Sequence, residues 1–106
     1  MLVATTNDLP GYRIVAHLGL VRGVTVRSRS VIGNFAGGLQ SIFGGNLSIY
    51  TELAEHARQE AYDLMVDHAS RAGADAVIAM RYDANEIMDG ITEVLCYGTA
   101  VKVERV

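Results

Sequence analysis

Residues 50–82 read YTELAEHARQEAYDLMVDHASRAGADAVIAMRY, and the spacing inside them decides the fold. Tyr50, Leu53, Ala54, Ala57, Ala61, Leu64, Met65, Ala69 and Ala72 recur in steps of three and four, the signature of an α-helix with one buried stripe. Glu52, Glu55, Arg58, Glu60, Asp63, Asp67 and Arg71 fall mainly off that stripe, so the element is two-sided rather than membrane-spanning. Gly73 follows the last periodic residue, and glycine accepts the left-handed conformation that caps helices without steric cost. The expectation is a helix over residues 47–72 with Asn46 or Ser48 as its N-cap, then a strand over residues 75–82.

Outward from that unit, residues 2–6 are apolar and β-prone and end in the turn cluster Asn7-Asp8-Leu9-Pro10-Gly11, which predicts a brief edge strand. Tyr12, Ile14, Ala16 and Leu18 alternate with Arg13, Val15 and His17 as a strand does, and Gly19 and Gly23 mark bulges or bends before extended character resumes at Val24. Ile32, Phe35, Leu39 and Ile42 are spaced for a helical face, but Gly33, Gly37 and Gly38 each weaken it, so residues 31–43 are read as a short, weak helix. Residues 83–90 read as a polar connection ending in the turn Asp89-Gly90, and residues 91–103 as the closing strand. The order β-β-(short α)-α-β-β defines an α+β fold, an antiparallel sheet packed against one long helix.

With 106 residues, half of them hydrophobic, the chain can bury one core, and residues 1–106 form a single domain. A formal net charge of −3 with scattered arginines argues against nucleic-acid binding. The first ten residues lack a positive region followed by an apolar core, and no run is long enough to span a membrane. One cysteine fits a reducing compartment, so cytoplasmic residence is expected.

Neither face of the two later strands is mostly polar: Ala76, Ile78, Met80 and Tyr82 oppose Val77, Ala79 and Arg81, while Leu95, Tyr97, Thr99, Val101 and Val103 oppose Val94, Cys96, Gly98 and Ala100. Near-continuous apolar strands are buried on both sides, and one helix covers one side. Other copies of the chain are therefore expected over the remaining surface.

Thr5-Thr6, Pro10-Gly11-Tyr12, Val21-Arg22-Gly23, Gly44-Gly45, Tyr50-Thr51, Ala57-Arg58, Glu60-Ala61, Gly73-Ala74-Asp75-Ala76-Val77, Arg81-Tyr82-Asp83 and Tyr97-Gly98-Thr99-Ala100-Val101 run through nearly the whole chain. In them the chain resembles the YbjQ-like family of small bacterial proteins, which carries a heavy-metal-binding label. The resemblance implies a dodecin-subunit-like α+β fold, assembly as a homo-oligomeric ring of five copies joined partly by short extra strands, cytoplasmic residence, and no established biochemical activity. Flavin binding enters only by analogy with dodecins; tryptophan is absent and no cofactor is expected.

The metal label meets a sparse ligand set. Soft-metal sites converge three or four thiolates or imidazoles; here there are Cys96, His17, His56 and His68, in no C-x-x-C or H-x-x-x-H spacing. His56 and His68 diverge by roughly 120° around the helix, so only neighbouring subunits would complete a site. Cys96 reads as a small core hydrophobe and His68 as a partly buried or interface residue. Glu52, His56 and Glu60 read as a solvated face, as do Glu60, Asp63 and Asp67. Glycines 37, 38, 44 and 45 lack a P-loop ending and serve turns. Arg81 interrupts an apolar strand and is expected in an ion pair with Glu55, Glu60 or Asp83, within or between subunits, with Arg58 a second such anchor. No catalytic, cofactor-binding or metal-ligating residue is assigned. The expected function is a non-enzymatic homo-oligomeric domain that binds a small ligand or ion. The alternative is a heavy-metal-binding protein using Cys and His at subunit interfaces.

Overall fold

The computed structural model describes residues 1–28 and 48–106, so the expected helix over 31–43, the glycines at 37–45 and Asn46 lie outside the described residues. Within them the elements run β1 (Leu2–Val3), β2 (Tyr12–Ser28), α1 (Ser48–Arg71), β3 (Ala76–Met88) and β4 (Ile91–Arg105). The four strands form one sheet in the order β1-β3-β4-β2. The fold is α+β as expected, but the sheet is mixed rather than antiparallel, because β1 pairs parallel with β3. That pairing joins chain ends far apart in sequence, which no local pattern specifies.

The helix ends as its glycine requires. Gly73 has φ +84, and the Ala74 and Gly73 amides donate to the carbonyls of Ala69 and Ser70, both at 3.0 Å. These are the two bonds of a Schellman cap, and they satisfy carbonyls the helix leaves open. The buried stripe is narrower than the periodicity predicts: Ala57, Ala61, Met65 and Ala69 face the sheet, whereas Tyr50 and Leu64 are exposed. Small side chains let the helix lie close. A Cβ at Gly23 would overlap the Ala61 carbonyl oxygen and stand 2.5 Å from the Met65 amide nitrogen. Gly23 is thus a close-approach residue, not a bend, and β2 is continuous through it; the register slips lie earlier, at Ile14/Ala16 and at His17/Gly19, where Gly19 has φ +101.

The expected polar connection over 83–90 is corrected. β3 runs on to Met88, with Arg81 to Glu86 and then Met88 in register with β4, and only Asp89-Gly90 turns the chain. Polarity there reflects exposure on both faces rather than loss of the strand: residues 81–89 are all exposed. A bulge interrupts the ladder between Ile78 and Arg81, with Ala79 at φ +54. The bulge turns backbone groups toward the N-terminal segment, where Ala79 and Met80 amides donate to the Thr6 and Ala4 carbonyls at 2.8 and 3.0 Å.

One core lies beneath α1, built from Val21, Ala57, Ala61, Met65, Ala69, Val77, Val94, Cys96 and Ala100. A smaller cluster, Leu9, Ala76, Ile78 and Val101, sits where the turn after β1 folds over one end of the other face. Beyond that cluster Leu20, Val24 and Val26 remain 62%, 41% and 50% exposed.

Candidate functional site

Two clefts flank α1. The first, about 710 Å³, opens between its N-terminal half and the sheet, walled by Arg27, Tyr50, Leu53, His56, Arg58 and Val94. The second, about 600 Å³, opens beside its C-terminal half, between Leu64, His68 and Arg71 on the helix and Arg22, Gly23 and Val24 on β2. Neither cleft sets a nucleophile against a base. The first offers an imidazole, two guanidinium groups, a carboxylate from Glu52 and a phenol above an apolar floor. The second offers two guanidinium groups and an imidazole beside Val24 and Leu64.

The charges of the helix pair locally. Arg27 from β2 reaches Glu60, whose other neighbour is His56 at 4.0 Å. Asp67 takes Arg71 at 3.0 Å, and Asp63 accepts from Gln59 at 2.9 Å. These contacts place Glu60, Asp63 and Asp67 in surface pairs on separate turns, where exposed ion pairs contribute about 0–1 kcal/mol.

Within the chain, Arg81 does not make the ion pair expected of it with Glu55, Glu60 or Asp83. Its Nη1 donates to the carbonyls of Thr5 and Met80, both at 2.8 Å, so the guanidinium ties the N-terminal segment to the Ala79 bulge. The Met80 carbonyl lies in the bulge and the Thr5 carbonyl in the segment facing it, and one guanidinium nitrogen donates to both. Arg58 likewise has no carboxylate at ion-pair distance among the described residues.

Cys96 is fully buried, its Sγ 3.6 Å from Met65 Sδ. Burial pushes the thiol up to about 11. A metal-binding cysteine is held as thiolate by nearby positive charge or imidazole, the reverse of this setting. His68 instead sits at the edge of β2, its Nδ1 accepting from the Arg22 amide at 3.1 Å. His17 and His56 lie elsewhere, and among the described residues no three His, Cys, Asp or Glu side chains gather as a metal would need. The described residues of one chain therefore do not fit a resident soft metal. Tyr82 is raised above the usual phenol range by burial, then by Cys96, with Arg58 drawing it back.

Sequence reasoning missed Arg22, Arg27 and the carboxylate of Asp75. Asp75 Oδ2 accepts from the Val103 amide at 3.0 Å, pinning β4 to the start of β3. The two arginines had a countable signal: β2 carries Arg13, His17, Arg22 and Arg27 and no acidic residue. No helix among the described residues is long and apolar enough to cross a membrane.

A small α+β domain with one close-packed helix, and no convergent catalytic or metal-ligating set among its described residues, is the class these features define. The chain belongs to the YbjQ-like family, whose model, described as "Putative heavy-metal-binding", matches residues 1–104. It is 67% identical over 103 residues to a UPF0145 protein of Chromobacterium violaceum, covering 97% of this chain and 88% of that one. A UPF0145 protein of Burkholderia mallei is 57% identical over 104 residues, covering 98% and 94%. Among solved structures, a Pediococcus pentosaceus protein of unknown function superposes with a TM-score of 0.64 at 16% identity over 98% of both chains, a likeness of fold.

Proposed function

We propose that this chain is a non-enzymatic subunit of a homo-oligomeric ring, five-membered by the family resemblance, whose assembled surfaces bind a small ligand or ion. The observation that carries the reading is uncovered apolar surface: Leu20, Val24 and Val26 on β2 and Ile87 and Met88 on β3 are each more than 40% exposed. Contiguous patches of this kind on small proteins mark interaction sites. Native mass spectrometry of tag-free protein tests it, with an assembly of several chains expected; a monomer that persists at every concentration overturns it.

Metal binding through Cys96 and the histidines is not the favoured ligand chemistry, since a buried, protonated thiol must first be uncovered and ionised. Elemental analysis of tag-free protein with and without Cys96→Ala separates the readings. Stoichiometric zinc, copper or nickel that disappears in the variant would reinstate the metal.

A further inference from the structure

The cleft beside the C-terminal half of α1 gathers nitrogen donors with no acid among the residues that line it. Arg22 and Val24 of β2 face Leu64, His68 and Arg71 of α1 across about 600 Å³. The cleft by Arg27 and Arg58 differs, since Glu52 lines it and Arg27 is spent on Glu60.

We propose that the C-terminal cleft binds a phosphomonoester, its phosphate held by Arg22, Arg71 and His68 and its apolar body laid on Val24 and Leu64. The inference rests on the small-ligand part of the proposed function and gives that ligand a place and a chemistry. Val24 and Leu64, 41% and 44% exposed, supply an apolar floor. Leu20 and Val26, further along β2, lie outside the cleft and are left to a neighbouring copy.

The donors are unspent. The Arg22 guanidinium has no acceptor among the described residues. Arg71 meets Asp67 through its Nε at 3.0 Å, and its two terminal nitrogens have no acceptor among the described residues. His68 is oriented by the strand beside it. Its Nδ1 stands 3.1 Å from the Arg22 amide nitrogen, and an amide N–H can only donate, so Nδ1 accepts and the neutral ring carries its proton on Nε2. Strand and helix thus each bring a forked cation, and the imidazole adds one further N–H between them.

Charge selects the class of ligand. Two guanidinium groups match a phosphomonoester dianion, and their forks suit phosphate oxygens better than a point charge does. A monocarboxylate neutralises only one of them. Two features oppose an anion here, and both are weaker. The negative pole of α1 amounts to about half a charge, and the carbonyls of Ser70 and Ala69 at that end are already taken by the Gly73 and Ala74 amides. Asp67 stands outside the lining with its side chain 60% exposed, where water screens it. The volume falls within the range of about 300–1,000 Å³ that small-molecule sites occupy.

Isothermal titration calorimetry of the full chain with phenyl phosphate at low ionic strength tests the assignment. Saturable binding of one phenyl phosphate per chain is expected, tighter than that of inorganic phosphate or benzoate. Arg22→Gln and Arg71→Gln are each expected to weaken it about tenfold or more, and Arg58→Gln, in the other cleft, to leave it unchanged. Hydrogen exchange of the wild type with and without phenyl phosphate reads the same site without a variant, with slowing expected in peptides covering residues 20–26 and 64–72. Absence of saturable binding, equal exchange of those peptides in both states, or Arg22 and Arg71 variants that bind like wild type overturn the site. Benzoate or inorganic phosphate bound as tightly as phenyl phosphate overturns the ligand class. Binding lost in Arg58→Gln alone overturns this cleft while leaving a small-ligand function standing. A wild-type monomer that binds phenyl phosphate through Arg22 and Arg71 removes the ring and upholds the cleft.

Discussion

A methyl group at position 23 has nowhere to go. The obstacle is helix backbone, the Ala61 carbonyl and the Met65 amide, rather than a side chain that could swing aside. Gly23→Ala must therefore push α1 off the sheet beneath Met65, and overpacking of this kind costs about 1–3 kcal/mol. Urea unfolding is expected to show a loss at the upper end of that range. Cys96 makes a second residue-scale case. Its thiol titrates near 9 when unfolded and is pushed up to about 11 when folded. A raised pKa means the unfolded state releases its proton first, so the stability this group contributes is whole below pH 9 and falls as pH rises from about 9 to 11. The loss is at most about 3 kcal/mol. Cys96→Ala should flatten stability against pH over that window, measured by denaturant midpoints at each pH. Cys96 as a core hydrophobe was legible from its small neighbours Gly98 and Ala100. The Arg81 contacts were not, because backbone carbonyls at a bulge and in a distant segment leave no mark in side-chain pattern.

At the scale of elements, α1 and its glycine cap were readable because periodicity and a left-handed stop are local properties, written within a few residues of each other. Strand β3 was readable only in its apolar half. Its polar half is held by β4 across the ladder, and a partner strand distant in sequence overrides local preference. The parallel pairing of β1 escaped for the same reason. The Ala79 bulge shows what the ladder tolerates: a non-glycine residue at φ +54, a conformation that costs an L-residue roughly 1–2 kcal/mol. An alanine-to-glycine change in a strand ordinarily loses about 0.5–1 kcal/mol. Ala79→Gly is expected to be neutral or stabilising in thermal unfolding, since relief of the left-handed strain offsets the lost entropy; an ordinary loss would mean the bulge stores no strain. Arg81→Ala is expected to free the segment after β1, because the Thr5 carbonyl loses its guanidinium donor. Amides of Thr6 to Asp8 should then exchange faster while those of β4 stay protected.

The whole molecule is too long for its size. Its radius of gyration is 17.2 Å and its longest extent 56 Å, whereas a compact chain of this length has a radius near 13 Å. Among the described residues a single layer of sheet with one helix across its middle produces that shape, and it leaves the far ends of β2 and β3 without a second layer. In the proposed assembly neighbours cover those ends, and stability drawn from association depends on concentration. Each tenfold rise in protein concentration adds about 1 kcal/mol per subunit when assembly and folding are coupled, which for a domain of this size raises the midpoint by about 4–8 °C. Differential scanning calorimetry over a hundredfold range of concentration should therefore show the unfolding temperature climbing by several degrees per decade. If the midpoint does not move with concentration, the exposed ends of the sheet are stable unaided, and the elongated shape belongs to a monomer.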